Sequence, residues 1–334
     1  MRNQDFNVDL QKVCMLKQNS AKLFVLLLLV SFFSSIGLSQ EKLGKKQDDR
    51  VRTMTIPISI FTKKELKENQ TGELVQAGDL QVKEDGDNQV ILSIRSVSNT
   101  PLALAVLIQD DLTSEANLKL GELRDFIRQL PQGSRVMVAY LRSGTIQIRQ
   151  KFTDDLERAA KSLRIITGSS ATAPSSPYSQ VEEALKRFDA LPTGRRAILL
   201  VSDGLDVSRG IESSTPTQSL DLDRAVLRAQ RKSVAVYSFY SPASLTGNGN
   251  SLLVLNGQGS LERLSDETGG RAFFQGSIAP ISFEPFFEDL NRALTRQFAL
   301  TYLSTHLKKG YYKIQVTSNN PEVEIEHPRG YYFK

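Results

Sequence analysis

Apolar positions change their spacing along this chain, and each change predicts a different element. They alternate from Thr53 to Phe61 (TMTIPISIF) and again from Gln89 to Val97 (QVILSIRSV), the period of strands with one buried face. Pro57 predicts an edge position for the first of these. A third strand is predicted around Leu80–Val82, with the turn chemistry of Glu84-Asp-Gly-Asp-Asn88 following it. From Leu102 the alternation gives way to continuous apolar runs. Leu102–Ile108 (LALAVLI) is apolar throughout, as a strand covered on both faces must be. Ala116, Leu120, Leu123, Ile127 and Leu130 then recur at helical spacing before Pro131.

The same grammar repeats. Arg135–Leu141 (RVMVAYL) is a buried strand joined through Arg142-Ser-Gly-Thr145 to the alternating TIQIRQ, an antiparallel hairpin at a sheet edge. Helices are predicted after Asp154-Asp155, around Val181–Phe188, at Leu222–Arg231, near Leu261–Thr268, and where Phe283, Phe286, Phe287, Leu290 and Leu294 share one face. Strands are predicted at Ala197–Val201 (AILLV), Val234–Phe239 (VAVYSF) and Arg271–Phe274, with a Gly/Ser/Asn-rich loop from Ser241 to Gly259. Past Gln297 the period returns to two in FALTYLS, YYKIQVTS and VEIEH. The expected fold is therefore α/β: a doubly wound, mostly parallel sheet inserted between N- and C-terminal β segments that pair in a small β-sandwich.

The expected boundaries are 1–39, a signal peptide or membrane anchor; 40–100, a linker and N-terminal β segment; 101–297, the α/β domain; and 298–334, the C-terminal β segment. The first rests on the run Leu23–Leu38 (LFVLLLLVSFFSSIGL), which follows Lys17 and Lys22 and has small residues at Gly37 and Ser39. It is short for a membrane span, which needs about 20 apolar residues, and matches a secretory core. The expected location is secreted or periplasmic, with membrane association only if this segment stays uncleaved. The sole cysteine, Cys14, precedes the run, so the mature chain would carry no thiol, disulfide or cysteine nucleophile.

The net charge of +5 comes from 42 basic and 37 acidic residues interleaved along the chain, without the basic block of a nucleic-acid binder. Nucleic acid is not an expected partner. Enzyme signatures are missing too: there is no Walker A sequence and no Gly-x-Ser-x-Gly elbow. The only histidines, His306 and His327, lie in the C-terminal β segment and are expected on the surface. Gly247-Asn-Gly249 and Gly257-Gln-Gly259 lack a third glycine and read as loop glycines. The chain is expected not to be an enzyme.

In an open α/β sheet, ligands sit beyond the carboxyl ends of the strands, where strand order reverses. Two acidic loops fall there, Gln109–Ser114 (QDDLTS) and the segment at Asp203. Carboxylates with hydroxyls are hard oxygen donors suited to Mg²⁺. The same residues are ordinary helix N-caps, so the capping reading stands beside the metal reading.

The stretches PLALAVLIQDDLTSE and RRAILLVSDGLD, with the order of elements over about Pro101 to Leu294, resemble the von Willebrand factor A domains, more closely their secreted bacterial branch with flanking β segments. The resemblance implies a metal-ion-dependent adhesion site built on Asp-x-Ser-x-Ser, a Thr from a second loop and an Asp from a third. In one register Gln109 stands at the first Asp and Asp111 and Thr113 at the two Ser positions; sliding by one gives Asp110, Leu112 and Ser114. Ser179 falls at the Thr position and Asp203 at the third-loop Asp. The implied ligands are thus Asp111, Thr113, Ser179 and Asp203, with Asp110 and Ser114 in the other register. The implied ion is Mg²⁺, or Mn²⁺ or Ca²⁺, with an open position completed by an acidic side chain of a partner protein. The implied function is adhesion or protein–protein interaction outside the cytoplasm. The alternative is a metal-independent scaffold of the envelope.

Overall fold

The computed structural model describes residues 51–62, 79–98, 100–192 and 194–333. The expected leader lies outside the described residues. Within the described chain, strands β1 (Arg52–Thr62), β2 (Leu80–Glu84) and β3 (Asp87–Ser96) precede the α/β region. That region runs β4 (Leu102–Gln109), α1 (Leu120–Arg128), β5 (Arg135–Arg142), β6 (Thr145–Thr153), α2 (Leu156–Lys161), α3 (Pro177–Leu185), β7 (Arg195–Ser202), α4 (Leu220–Lys232), β8 (Ala235–Tyr240), α5 (Ser251–Thr268), β9 (Ala272–Phe273) and α6 (Glu284–Thr295). Strands β10 (Gln297–Ser304), β11 (Gly310–Ser318), β12 (Val323–Glu326) and β13 (Gly330–Phe333) close the chain.

The α/β sheet has the order β6-β5-β4-β7-β8-β9. All its neighbours are parallel except the β5–β6 hairpin at the edge. The first strand of this sheet is central, with the chain winding outward first through β5 and then through β7. Side chains of β4 divide by strand period. Leu104, Val106 and Ile108 join the core under α1, α2 and α6, while Ala105 and Leu107 join the core under α3, α4 and α5. Both faces are covered, which is why the run LALAVLI carries no polar residue. Phe283, Phe286 and Phe287 sit in that first core around Phe239, as their spacing predicts.

The flanking strands pair across the insertion, but as a single antiparallel sheet of order β12-β1-β10-β3-β2-β11-β13 and not as two packed sheets. This corrects the expected β-sandwich. Its strands twist enough for the sheet to curl over its own apolar face, where Ile56, Ile58, Leu300, Tyr302, Ile314 and Val316 pack together. The curl is visible at Arg52 of β1, whose guanidinium lies 3.8 Å from the Phe333 ring centroid on β13, at the far end of the strand order. Pro57 lies in the half of β1 that pairs only with β10, since β12 joins β1 from Ser59 onward, so the edge reading holds locally.

Arg195, at the start of β7, fastens both crossings between the two sheets. It donates to Ser98 O (3.0 Å) and Thr100 O (3.4 Å) on the way in, and to Gln297 Oε1 (2.6 Å) and Leu294 O on the way out. Burial pulls its guanidinium below the ordinary arginine value.

Two further expectations change. The loop predicted through Gly259 ends at Asn250, whose side chain caps α5 by accepting from Leu252 N and Leu253 N, so Gly257 and Gly259 are helical. Packing of α5 on the sheet overrides the low helix propensity of glycine. The histidines are half-buried and engaged: His327 Nε2 accepts from Val316 N at 3.2 Å, and His306 lies 3.5 Å from Glu84.

Candidate functional site at the strand switch point

The chain leaves β4 and β7 in opposite directions across the sheet, so a crevice opens beyond their carboxyl ends. Gln109 ends β4; Ser202 ends β7 beside it. The loop after β8 completes the wall, because Leu112 forms a bridge with Ala243 and Thr113 N donates to Pro242 O at 2.9 Å.

The side chains at this point form one hydrogen-bonded cluster. Gln109 Nε2 donates to Asp111 Oδ1 at 2.8 Å. Its carbonyl oxygen, Oε1, accepts from Ser202 Oγ at 2.5 Å and from Asp203 N at 3.3 Å. The other Asp111 oxygen accepts from Ser244 Oγ at 2.6 Å. Asp203 Oδ1 accepts from Leu205 N at 3.1 Å and Oδ2 from Thr246 Oγ1 at 3.0 Å. Thr246 Oγ1 in turn accepts from Ala243 N at 2.9 Å. Three loops from three neighbouring strands are thereby tied by side chains, all of them buried except the half-buried Ser244.

Close backbone approach makes this possible. Gly204 has φ +71°, which favours glycine. A Cβ on Gly257 of α5 would lie 2.1 Å from Asp203 O, so only hydrogen there lets the helix reach the loop. Tyr178 of α3 fixes the other side by donating to Gly204 O at 2.6 Å.

Electrostatics follow from burial. Asp203 is pushed up to about 7, first because it is desolvated and second because of the Asp111 charge. Tyr240, next to it, is pushed up to about 12 by burial and by Asp203.

The anticipated residues part company. Asp111 and Asp203 meet in the cluster. Asp110 is fully buried but turned elsewhere, with Arg164 donating to both its oxygens at 2.8 and 3.0 Å and Arg142 at 3.5 Å. Thr113 contributes its backbone, and its methyl carbon would lie 3.1 Å from a Cβ on Gly247. Ser114 is exposed at the start of a short 3₁₀ turn. Ser179 Oγ donates to Ser176 O at 3.0 Å, a bond within the first turn of α3. Ser202, Ser244 and Thr246 escaped the sequence reading, and Gly257 was read only as a loop glycine. Their shared signal was position alone, since each lies on a connection leaving, or a helix following, a buried parallel strand.

These donors do not fit a hard dication. The residue at the expected first carboxylate is a neutral amide whose N–H₂, which cannot ligate a cation, faces Asp111, so the site lacks one full negative charge of the resembled motif; each oxygen of Asp111 and Asp203 also accepts one protein hydrogen bond. Among the described residues, no three His, Cys, Asp or Glu side chains gather as a metal-binding group.

No family model and no curated protein matches this sequence. Solved structures similar to the chain include an aerotolerance-related membrane protein from Bacteroides fragilis, 12% identical with a TM-score of 0.40, covering 58% of this chain and 98% of that one. BatB from Bacteroides thetaiotaomicron is likewise 12% identical, with a TM-score of 0.40, over 58% of this chain and 97% of its own. A von Willebrand factor type A protein from Catenulispora acidiphila is 10% identical, with a TM-score of 0.38, over 77% of this chain and 74% of its own. The fold of this chain rests on its own strand order: a parallel α/β sheet with one antiparallel edge strand, beside an antiparallel sheet.

Proposed function

We propose that this chain is a non-enzymatic protein-interaction module, acting outside the cytoplasm and binding its partner through the loops at the carboxyl end of the parallel sheet. One observation carries the reading: the loops tied by the buried polar cluster bear exposed apolar side chains. Leu118 follows β4, Ile211 follows β7, and Leu245 and Leu252 follow β8, so all four leave the same end of parallel strands. Ile165 joins them, because its neighbours Arg164 and Ile166 are bonded to Asp110 and Asn117 of the β4 loop. Large apolar side chains grouped on preorganised loops suit a protein surface. The extracytoplasmic setting rests on the N-terminal apolar run. Among the described residues no helix is long and apolar enough to cross a membrane.

Photo-crosslinkers placed at Leu118 and Leu245, with Leu227 on α4 as a control of similar exposure to Leu245, test the reading in the native envelope. A discrete partner trapped by the first two and not by the third is the expected result. Equal trapping at all three would contradict it.

The scaffold reading has its own observation. A cleft of about 1380 Å³ lies where α5, β9 and α6 face the curled sheet, lined by Arg271, Glu326, Lys313 and Arg329 among others. A chain that bound through this cleft would be indifferent to substitution of the loop rim.

A further inference from the structure

We propose that Gln109 stands in for the cation: the switch-point cluster is a cation-free clasp in which one side-chain amide bridges the Asp111 carboxylate and the β7 loop. The orientation of the amide is fixed by chemistry. Asp203 N can only donate, so the amide oxygen faces β7; the N–H₂ then faces Asp111, whose carboxylate can accept it. An amide offers a donor on one side and an acceptor on the other, whereas a metal ion attracts oxygen lone pairs from every side.

The three hydroxyls within the clasp agree. Ser244 and Thr246 point their hydrogens at carboxylate oxygens, and Ser202 points its hydrogen at the Gln109 oxygen. Asp110, the neighbouring acidic side chain, does not restore the missing charge, because Arg164 and Arg142 hold its carboxylate. The clasp joins β4, β7 and β8 loops by itself, so the face keeps its shape without a bound ion. A partner would then meet no exposed cationic charge, and its attachment would be insensitive to chelators. This holds whichever protein binds the loop rim.

Calorimetric titration of Mn²⁺ and Mg²⁺ into the full chain tests the proposal, with thermal midpoints measured in chelator and in millimolar metal. The expected wild-type result is no saturable heat and an unchanged midpoint. Saturable binding that Asp203→Asn abolishes would overturn the proposal. Gln109→Glu places a carboxylate where the amide is, next to two others; it is expected to lower the midpoint in chelator and to recover several degrees with Mn²⁺. A folded Gln109→Glu that stays as indifferent to metal as the wild type would show that the amide is not what displaces the cation, and would also overturn it. If that variant does not fold, the wild-type titration still decides.

Discussion

Gly257 of α5 presses against the main chain of Asp203 so closely that the smallest side chain would stand 2.1 Å from the Asp203 carbonyl oxygen. The helix and the β7 loop therefore share one position, with Gly204 accommodating from its side at φ +71°. Replacing Gly257 by Ala must push α5 outward and carry Asp203 with it. Overpacking of this kind costs about 1–3 kcal/mol, and backbone, not a flexible side chain, has to move. Gly121 in the first turn of α1 has open space around its Cβ position, so Gly121→Ala should be neutral or stabilising by about 0.5–1 kcal/mol. Chemical denaturation of the two variants checks both values.

Asp203 links stability to pH. Its carboxyl is pushed up to about 7 from 3.8, with Asp111, Tyr178 and Tyr240 as the groups facing it. The folded state thus holds the proton more tightly than the unfolded chain. The associated stability is fully present below about pH 4 and is lost as pH rises through about 7, amounting to on the order of 2–4 kcal/mol. Glu326, also pushed up to about 7 by burial, adds to the same slope. Asp203→Asn should remove part of that slope and should be at least as stable as the wild type at pH 8. Denaturation midpoints from pH 4 to pH 8 report the difference; a steeper slope in the variant would contradict the assignment.

The pairing of Asp110 with Arg164 predicts an asymmetry between two substitutions. Arg164→Ala leaves a fully buried carboxylate with only Arg142 at 3.5 Å, and also strips the cation from the face of Tyr140, 4.0 Å away. Because Arg164 itself is partly exposed, the loss should be about 2–3 kcal/mol, at or just below the low end for breaking a buried pair. Asp110→Asn leaves its charged partner access to water and should cost less. Equal losses would place the charge in the wrong residue.

Arg195 should govern how firmly the two sheets are joined. Removing its guanidinium in Arg195→Ala frees carbonyls of Ser98, Thr100 and Leu294 together, a loss of about 3 kcal/mol given the usual worth of charge-assisted bonds and their non-additivity. Amide exchange should accelerate at Ser98, Thr100 and residues 294–297 more than within β4. Uniform acceleration would mean that the residue supports the α/β core and not the junction.

Much of the fold was legible because burial sets period. LALAVLI and AILLV had to be covered on both faces, and the acidic loop behind each fell at the same end of the sheet. What alternation cannot encode is how many sheets a set of strands makes, since each strand knows only which face is apolar; hence one curled sheet where two were expected. Helix α5 was half hidden because Gly257 and Gly259 suppress its propensity, and the reason for Gly257 is a contact with Asp203, far away in sequence. The site was legible to the level of the loop. Asp203 announced itself in VSDG, and Gln109 was marked as the departure from the resembled motif. Its partners were not, because the bonds from Gln109 to Ser202, from Asp111 to Ser244 and from Asp203 to Thr246 span 93, 133 and 43 residues. A hydroxyl in a Gly/Ser/Asn-rich loop gives no sign of which distant carboxylate it will meet.

Crystals of the wild-type chain soaked in Mn²⁺ and measured near the manganese edge decide directly whether an amide or an ion closes the switch point. The predicted result is no anomalous peak among Gln109, Asp111 and Asp203, with the amide still bridging Asp111 and Asp203 N. A peak within coordination distance of the Asp111 and Asp203 oxygens, about 2.2 Å for a hard divalent ion, with Gln109 turned aside, would contradict it.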